Sequence, residues 1–177
     1  MNLLQWILFI TGTLFFIFFS WYVSLRAKRF HGFFRFFSFE SILIIVILNY
    51  PYWFSAPLKP LQFISWIFLF GSALIAAIAF YQFYRVGKPA NHMEETTQLI
   101  TTGMYRFIRH PLYLSLLLAG FGAMLKDPGS IQVLLSILNA VALYLTARTE
   151  EKEMIERMGP PYIDYIKKTR MFLPGII

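Results

Sequence analysis

Five apolar runs, separated by short polar segments, organise the chain. The first, residues 3–25, has no charge between Met1 and Arg26. At about 1.5 Å per residue it crosses a hydrocarbon core of about 30 Å. No basic residue precedes it and no small-residue cleavage site follows, so it reads as a retained span, not a removed signal peptide. The second run, 39–56, carries Glu40 at its edge and Pro51 in its last turns, where a kink is expected. The third, 61–84, has a small-residue centre (Gly71, Ser72, Ala73, Ala76, Ala77, Ala79) suited to close helix contact. The last two, 112–125 and 131–147, are shorter. The fourth crosses only if it takes in Pro111 and gains a turn, or thins the bilayer. Lys126-Asp127-Pro128-Gly129 between them has turn composition, which predicts an antiparallel helical hairpin.

Charge placement fixes the number and direction of the spans. Of the 16 Lys and Arg residues, 14 follow the first, third or fifth run, leaving only Lys59 and Lys126 for the opposite side. The positive-inside rule then places the N-terminus outside and the C-terminus in the cytoplasm, with five crossings. Four or six would break the asymmetry. Composition agrees: 58% of residues are hydrophobic and 14% are charged, against about 25% charged in soluble domains. The predicted class is therefore an all-α integral membrane protein of five transmembrane helices, the last two a short hairpin, with a cytoplasmic loop and C-terminal tail. Residues 1–84 form an N-terminal three-helix region and residues 85–177 a second region of loop, helical hairpin, C-terminal helix and tail, together one structural domain. The net charge of +7 flanks the apolar runs and forms no basic domain, which suits contact with membrane lipids and not nucleic acid. Cysteine is absent, and His31, His92 and His110 lack ligand spacing, so no metal site is expected.

Polar chemistry concentrates in the second half. Pro111 is placed to start a helix, which puts Arg109 and His110 at its positive end and Tyr113 in its first turn. That arrangement favours a carboxylate or phosphate, or else a plain basic anchor. Glu150 and Glu151 sit where the fifth run ends, and the hairpin returns them beside Arg109 and His110. They can pair with Arg109 or Arg148, or accept hydrogen bonds from a ligand's hydroxyls or amine. Lys152 with Glu156 and Asp164 with Lys168 read as solvated i,i+4 pairs. Tyr162 and Tyr165 share a face and read as aromatic anchors of an interfacial helix, after a break at Gly159-Pro160-Pro161. Met171-Phe172-Leu173-Pro174 then returns apolar residues towards the membrane or a pocket. Residues 87–98, with His92, read as a cytoplasmic loop. Gly103 permits a positive-φ turn close to a ligand.

The string LITTGMYRFIRHPLY at residues 99–113, the hairpin, Arg148-Thr149-Glu150-Glu151, and then Gly159, Tyr162, Tyr165, Arg170 and Pro174 form a composite pattern. Over about residues 85–175 it resembles the isoprenylcysteine carboxyl methyltransferase and phospholipid methyltransferase superfamily of integral membrane enzymes. The resemblance implies S-adenosylmethionine as cofactor, held between loop, hairpin and tail. It implies that His110 and Tyr113 contact the methionine portion, that Glu150 or Glu151 contacts the cofactor's polar groups, and that Leu99, Ile100, Thr101, Gly103 and Tyr105 cover the adenosine. Arg109 and Arg170 would then lie nearest the acceptor or order the tail, and Glu151 would be the nearest general base for an amine or thiol. The acceptor implied is lipid-like or a small hydrophobic carboxylate, amine or thiol, entering from the bilayer while the cofactor enters from the cytoplasm. The first half carries no substrate motif. Reductases on a similar scaffold make a membrane reductase the alternative enzyme, and a lipid-binding protein the non-enzymatic one.

Overall fold

The structure, a computed structural model, describes residues 2–54, 59–87 and 98–173. Its helices are α1 (Leu3–Val23), α2 (His31–Leu48), α3 (Pro60–Gly87), α4 (Pro111–Met124), α5 (Ser130–Met158) and α6 (Pro160–Lys168). The described residues contain no strand beyond an isolated bridge between Ile108 and Arg170. The segments containing α1, α2, α3 and α5 are long and apolar enough to cross a membrane, whereas α4 is a shorter apolar helix. Large apolar side chains such as Phe15, Phe18, Phe63, Phe70 and Leu134 point outward, while much of the buried interior is small and polar. This is the inverse of a soluble bundle, as lipid contact requires.

Interhelical hydrogen bonds tie the bundle together, since apolar burial gives little drive between helices already in lipid. Ser38 donates to Asn139 Oδ1 (2.6 Å), and Asn139 Nδ2 donates to the Leu116 carbonyl (3.3 Å). Ser65 and Ser72 of α3 donate to the carbonyls of Gly122 (2.6 Å) and Ser115 (2.7 Å) in α4. At one end, Asn49 reaches the Ala123 carbonyl (2.8 Å), Gln132 reaches Asn49 (3.0 Å) and Gln62 reaches the Lys126 carbonyl (2.7 Å). Lys126 is buried there, its Nζ 3.5 Å from the Trp66 ring centroid, and burial lowers its pKa.

Three expectations about the helices change. Helix α2 begins at His31, not near 39, and so encloses Arg35. Pro51 falls in a 3-10 turn, Tyr50–Tyr52, after the helix has ended at Leu48. Helix α5 does not end with the apolar run at 147 but continues to Met158, which puts Glu150 and Glu151 within its late turns. Helices α4 and α5 follow one another across the turn at Asp127, yet α4 packs most extensively on α3, and α5 on α2. Gly159, at φ +64°, and Pro160 end α5 and start α6 as their residue types predict.

Candidate active site at one end of the bundle

A cavity of about 380 Å³ opens among the ends of α1, α2, α3, α4 and α5 that lie away from Lys126. Small-molecule sites occupy about 300–1,000 Å³. Its walls are mostly apolar, and its polar groups come from early α2, the segment before α4, the start of α4, the late turns of α5, and α6.

Pro111 occupies the first position of α4, which leaves His110 as the preceding cap residue. The buried His110 ring stacks on Tyr113, with centroids 5.2 Å apart and planes 11° from parallel. Tyr113 donates its hydroxyl to Glu150 Oε2 at 2.7 Å. His110 Nδ1 lies 3.5 Å from Glu150 Oε2, and Nε2 lies 3.3 Å from Glu151 Oε1. Burial presses the imidazole pKa down, but hydrogen bonds and charge from the two carboxylates outweigh it and raise it above the ordinary value.

Arg109 faces a different task. Its Nε bonds Glu151 at 2.5 Å, and Nη1 donates to the carbonyls of Thr169 (2.6 Å) and Ile166 (3.3 Å). The guanidinium, held by Glu151, thus caps the end of α6, a favourable place for a cation. Backbone pairing adds to this: Arg170 N to Phe107 O (3.0 Å), Arg109 N to Arg170 O (2.8 Å) and His110 N to Met171 O (3.1 Å). Met171 and Phe172 then pack with Tyr113, Leu143 and Ala147. The segment after α6 is clamped onto the segment before α4.

Gly103, at φ +60°, turns the loop against α3: a Cβ there would lie 1.9 Å from Gln82 Nε2. Gln82 Oε1 accepts from Met104 N at 3.1 Å. Tyr165 donates to the Tyr105 carbonyl at 2.6 Å, and burial raises the pKa values of Tyr105, Tyr162 and Tyr165, keeping the phenols neutral.

Of the residues singled out in the sequence, Leu99, Ile100, Tyr105, Arg109, His110, Tyr113 and Glu150 line the cavity. Thr101 and Gly103 are exposed and do not line it; Gly103 shapes the loop. Glu151 lies behind the wall, bound to Arg109, which separates its position from that of its neighbour Glu150. The Arg170 side chain is exposed and off the wall, and its contribution is the backbone bridge that orders the tail. Tyr162 and Tyr165 are buried cavity residues and not interfacial anchors. Asp164 pairs with Lys167 (3.0 Å), one residue short of the Lys168 expected. His92 and Pro174 lie outside the described residues. Sequence reasoning missed Gln82, Phe19, Phe39 and Arg35. A charge inside the run Phe33-Phe34-Arg35-Phe36-Phe37 was the available signal for the last.

These features define a helical membrane protein with a small-molecule cavity at one end. The chain belongs to the isoprenylcysteine carboxyl methyltransferase (ICMT) family, whose signature matches residues 64–156, from α3 to late α5. It is an integral membrane protein of a methyltransferase family. Methanethiol S-methyltransferase 1 of Bradyrhizobium diazoefficiens is 26% identical over 121 residues, 66% of this chain and 41% of that protein. The nickel-cobalt-cadmium resistance protein NccN of Alcaligenes xylosoxydans xylosoxydans is 32% identical over 84 residues, 46% of this chain and 38% of that protein. Methanethiol S-methyltransferase of Pseudomonas deceptionensis is 25% identical over 130 residues, 69% of this chain and 47% of that protein. The aligned stretch spans less than half of each relative. No solved structure matches the chain.

Proposed function

We propose that the protein is an S-adenosylmethionine-dependent methyltransferase acting on a small hydrophobic or lipid-like acceptor that carries a thiol, carboxylate or amine. The observation that carries this reading is Glu150, fixed by Tyr113 and His110 on the wall of an otherwise apolar cavity. The residues fit the donor. A carboxylate suits its ammonium or ribose hydroxyls, and Leu99, Ile100 and Leu112 offer apolar surface to its base. Two relatives are named for S-methylation of methanethiol, which favours a small thiol as acceptor.

When bound, S-adenosylmethionine supplies a methyl group already activated on a sulfonium. The protein's part is then placement and water exclusion. Glu150, His110 and Tyr113 hold the polar end of the donor, and Tyr105, Tyr162 and Tyr165 close the cavity with neutral rings. The Arg109–Glu151 pair and the bridged tail keep that enclosure rigid. Aligning two reactants within about 3–3.5 Å removes much of an otherwise bimolecular barrier.

Two approaches to the site fit two kinds of reactant. Glu150 and Met154 also line a second cavity, about 340 Å³, whose other walls include Lys28, Arg29, His31, Glu153 and Arg157. The polar cavity suits entry of the water-soluble donor, and the apolar one suits an acceptor from the bilayer. With five crossings and the N-terminus outside, both open on the cytoplasmic side, where the basic residues gather.

Calorimetric titration of the detergent-purified protein with S-adenosylhomocysteine tests the donor assignment. Micromolar binding that is lost in His110→Ala and Glu150→Gln is the expected result. Absence of binding at millimolar ligand overturns it. Transfer of labelled methyl to small thiols, fatty acids, amines and extracted lipids identifies the acceptor.

A further inference from the structure

We propose that Arg35 receives the methyl acceptor, and that the acceptor therefore reacts as an anion, a thiolate or a carboxylate and not an amine. The reaction itself rests on the methyl-transfer reading above; the residue rests on its own geometry.

Arg35 stands in the early turns of α2, in a segment otherwise made of phenylalanine and serine, and is 6% exposed. An ionised side chain inside an apolar segment of a membrane protein is costly, and such residues face cavities or the bundle interior. Arg35 faces the cavity that also holds Glu150, His110 and Tyr113. Its Nη2 donates to Ser24 Oγ at 2.8 Å, and its guanidinium carbon lies 5.4 and 5.7 Å from the ring centroids of Phe19 and Phe39. Both rings line the same cavity. The support is tight: a Cβ on Gly32 would sit 2.4 Å from Ser24 Cβ, so the end of α1 and the start of α2 are pressed together at the arginine.

The division of labour follows from chain position. The groups that fit the donor come from α4 and α5, whereas Arg35, Phe19 and Phe39 come from α1 and α2. Arg35 remains charged at every working pH and presents its donors in a fixed fork that matches a carboxylate. In water-poor surroundings it favours the anionic form of a bound thiol or acid and repels an ammonium.

The step balances without a protein base. A thiol loses its proton to solvent on ionising beside Arg35. The thiolate sulfur, or a carboxylate oxygen, forms a bond to the methyl carbon as the bond from that carbon to the donor's sulfur breaks. The electron pair of the broken bond stays on the donor's sulfur, so the anion and the sulfonium are both neutralised. The position of Glu151 behind the wall is in keeping with a reaction that needs no base.

The test uses the 177-residue chain in detergent, with octanoate and octylamine as binding probes and octanethiol as methyl acceptor. Wild type is expected to bind octanoate at least tenfold more tightly than octylamine. Arg35→Gln is expected to lose about tenfold or more of octanoate affinity, the worth of a charged hydrogen bond. It should keep its affinity for S-adenosylhomocysteine and raise KM for octanethiol more than it lowers kcat, with Arg35→Lys restoring part of both effects. Unchanged octanoate binding in Arg35→Gln overturns the proposal, as does equal binding of the two probes by wild type. If Arg35→Gln also loses S-adenosylhomocysteine, the deciding measurements are wild-type selectivity and its partial retention in Arg35→Lys, and the absence of either overturns the proposal. A wild type that prefers octanoate yet binds no S-adenosylhomocysteine overturns the donor assignment and leaves the anion site standing.

Discussion

Tyr113 and Glu150 meet across 2.7 Å, the phenol in the first turn of α4 donating to a carboxylate late in α5. That bond aims Glu150, while the stacking of Tyr113 on His110 needs only the ring. Tyr113→Phe is therefore expected to fold normally and to bind S-adenosylhomocysteine about 10- to 100-fold more weakly. This corresponds to about 1.5–3 kcal/mol for a hydrogen bond to a charged group. Calorimetry on both proteins checks it, and an unchanged Kd removes Tyr113 from the donor site.

The Arg109–Glu151 pair governs stability. Both side chains are buried, at 8% and 5% exposure, so removing one partner strands a buried charge at a cost of about 3–5 kcal/mol. Arg109→Leu is expected to lower the thermal midpoint and to speed amide exchange at residues 169–172. Arg109→Lys keeps a charge but cannot fork to Glu151 and the α6 carbonyls together, so the tail should loosen there as well. Exchange at 169–172 as slow as in wild type would contradict the capping role.

The pH dependence of stability should carry the signature of His110. Its folded pKa is raised above the ordinary 6.5, so its stabilising contribution is complete below about pH 6.5. The contribution is lost as pH climbs through the higher folded value. The thermal midpoint of wild type relative to His110→Asn is thus expected to be greatest in mild acid and to shrink towards alkaline pH. A difference that grows with pH would reverse the sign and refute the assignment.

Gly103 offers a test of the loop. An alanine there must hold φ near +60° and displace the Gln82 amide. The backbone part alone costs about 1–2 kcal/mol. Gly103→Ala should destabilise the protein, and adding Gln82→Ala should cost less than the two single changes summed, because the small residue frees the space. Strict additivity in thermal unfolding would show that the contact with Gln82 carries no cost.

The sequence made α1, α3 and the cores of the other helices legible because long apolar runs report spans without knowledge of partners. The helix start at Pro111, the break at Gly159-Pro160 and the positive φ of Gly103 follow from residue type alone. What stayed hidden depends on distant contacts. Arg35 and His31 look like loop charges until Ser24 and Glu153 are brought against them; His31 Nδ1 lies 2.7 Å from Glu153 Oε2. Glu150 and Glu151 differ by about 100° around a helix, so only packing decides which one faces the cavity. An amphipathic α6 suits a lipid surface and a protein cavity equally, and its two tyrosines turned to the cavity.

The number of crossings turns on α4, which at 14 residues and about 1.5 Å each spans only about 21 Å. Its partners argue that it still crosses. Its C-terminal end is held by Asn49 at the end of α2, and the Lys126 carbonyl just beyond it by Gln62 near the start of α3. His110, at its beginning, shares the cavity with the opposite ends of those helices. A short helix can cross if the bilayer thins or the flanking turns are buried in protein. Because the chain contains no cysteine, single substitutions report sidedness without background. In intact cells a membrane-impermeant maleimide is expected to label Lys59→Cys and Asp127→Cys, and to reach Lys152→Cys and Lys167→Cys only after permeabilisation. Labelling of Lys59→Cys without Asp127→Cys would mean that α4 does not cross, and the opposite pattern at all four sites would invert the protein in the membrane.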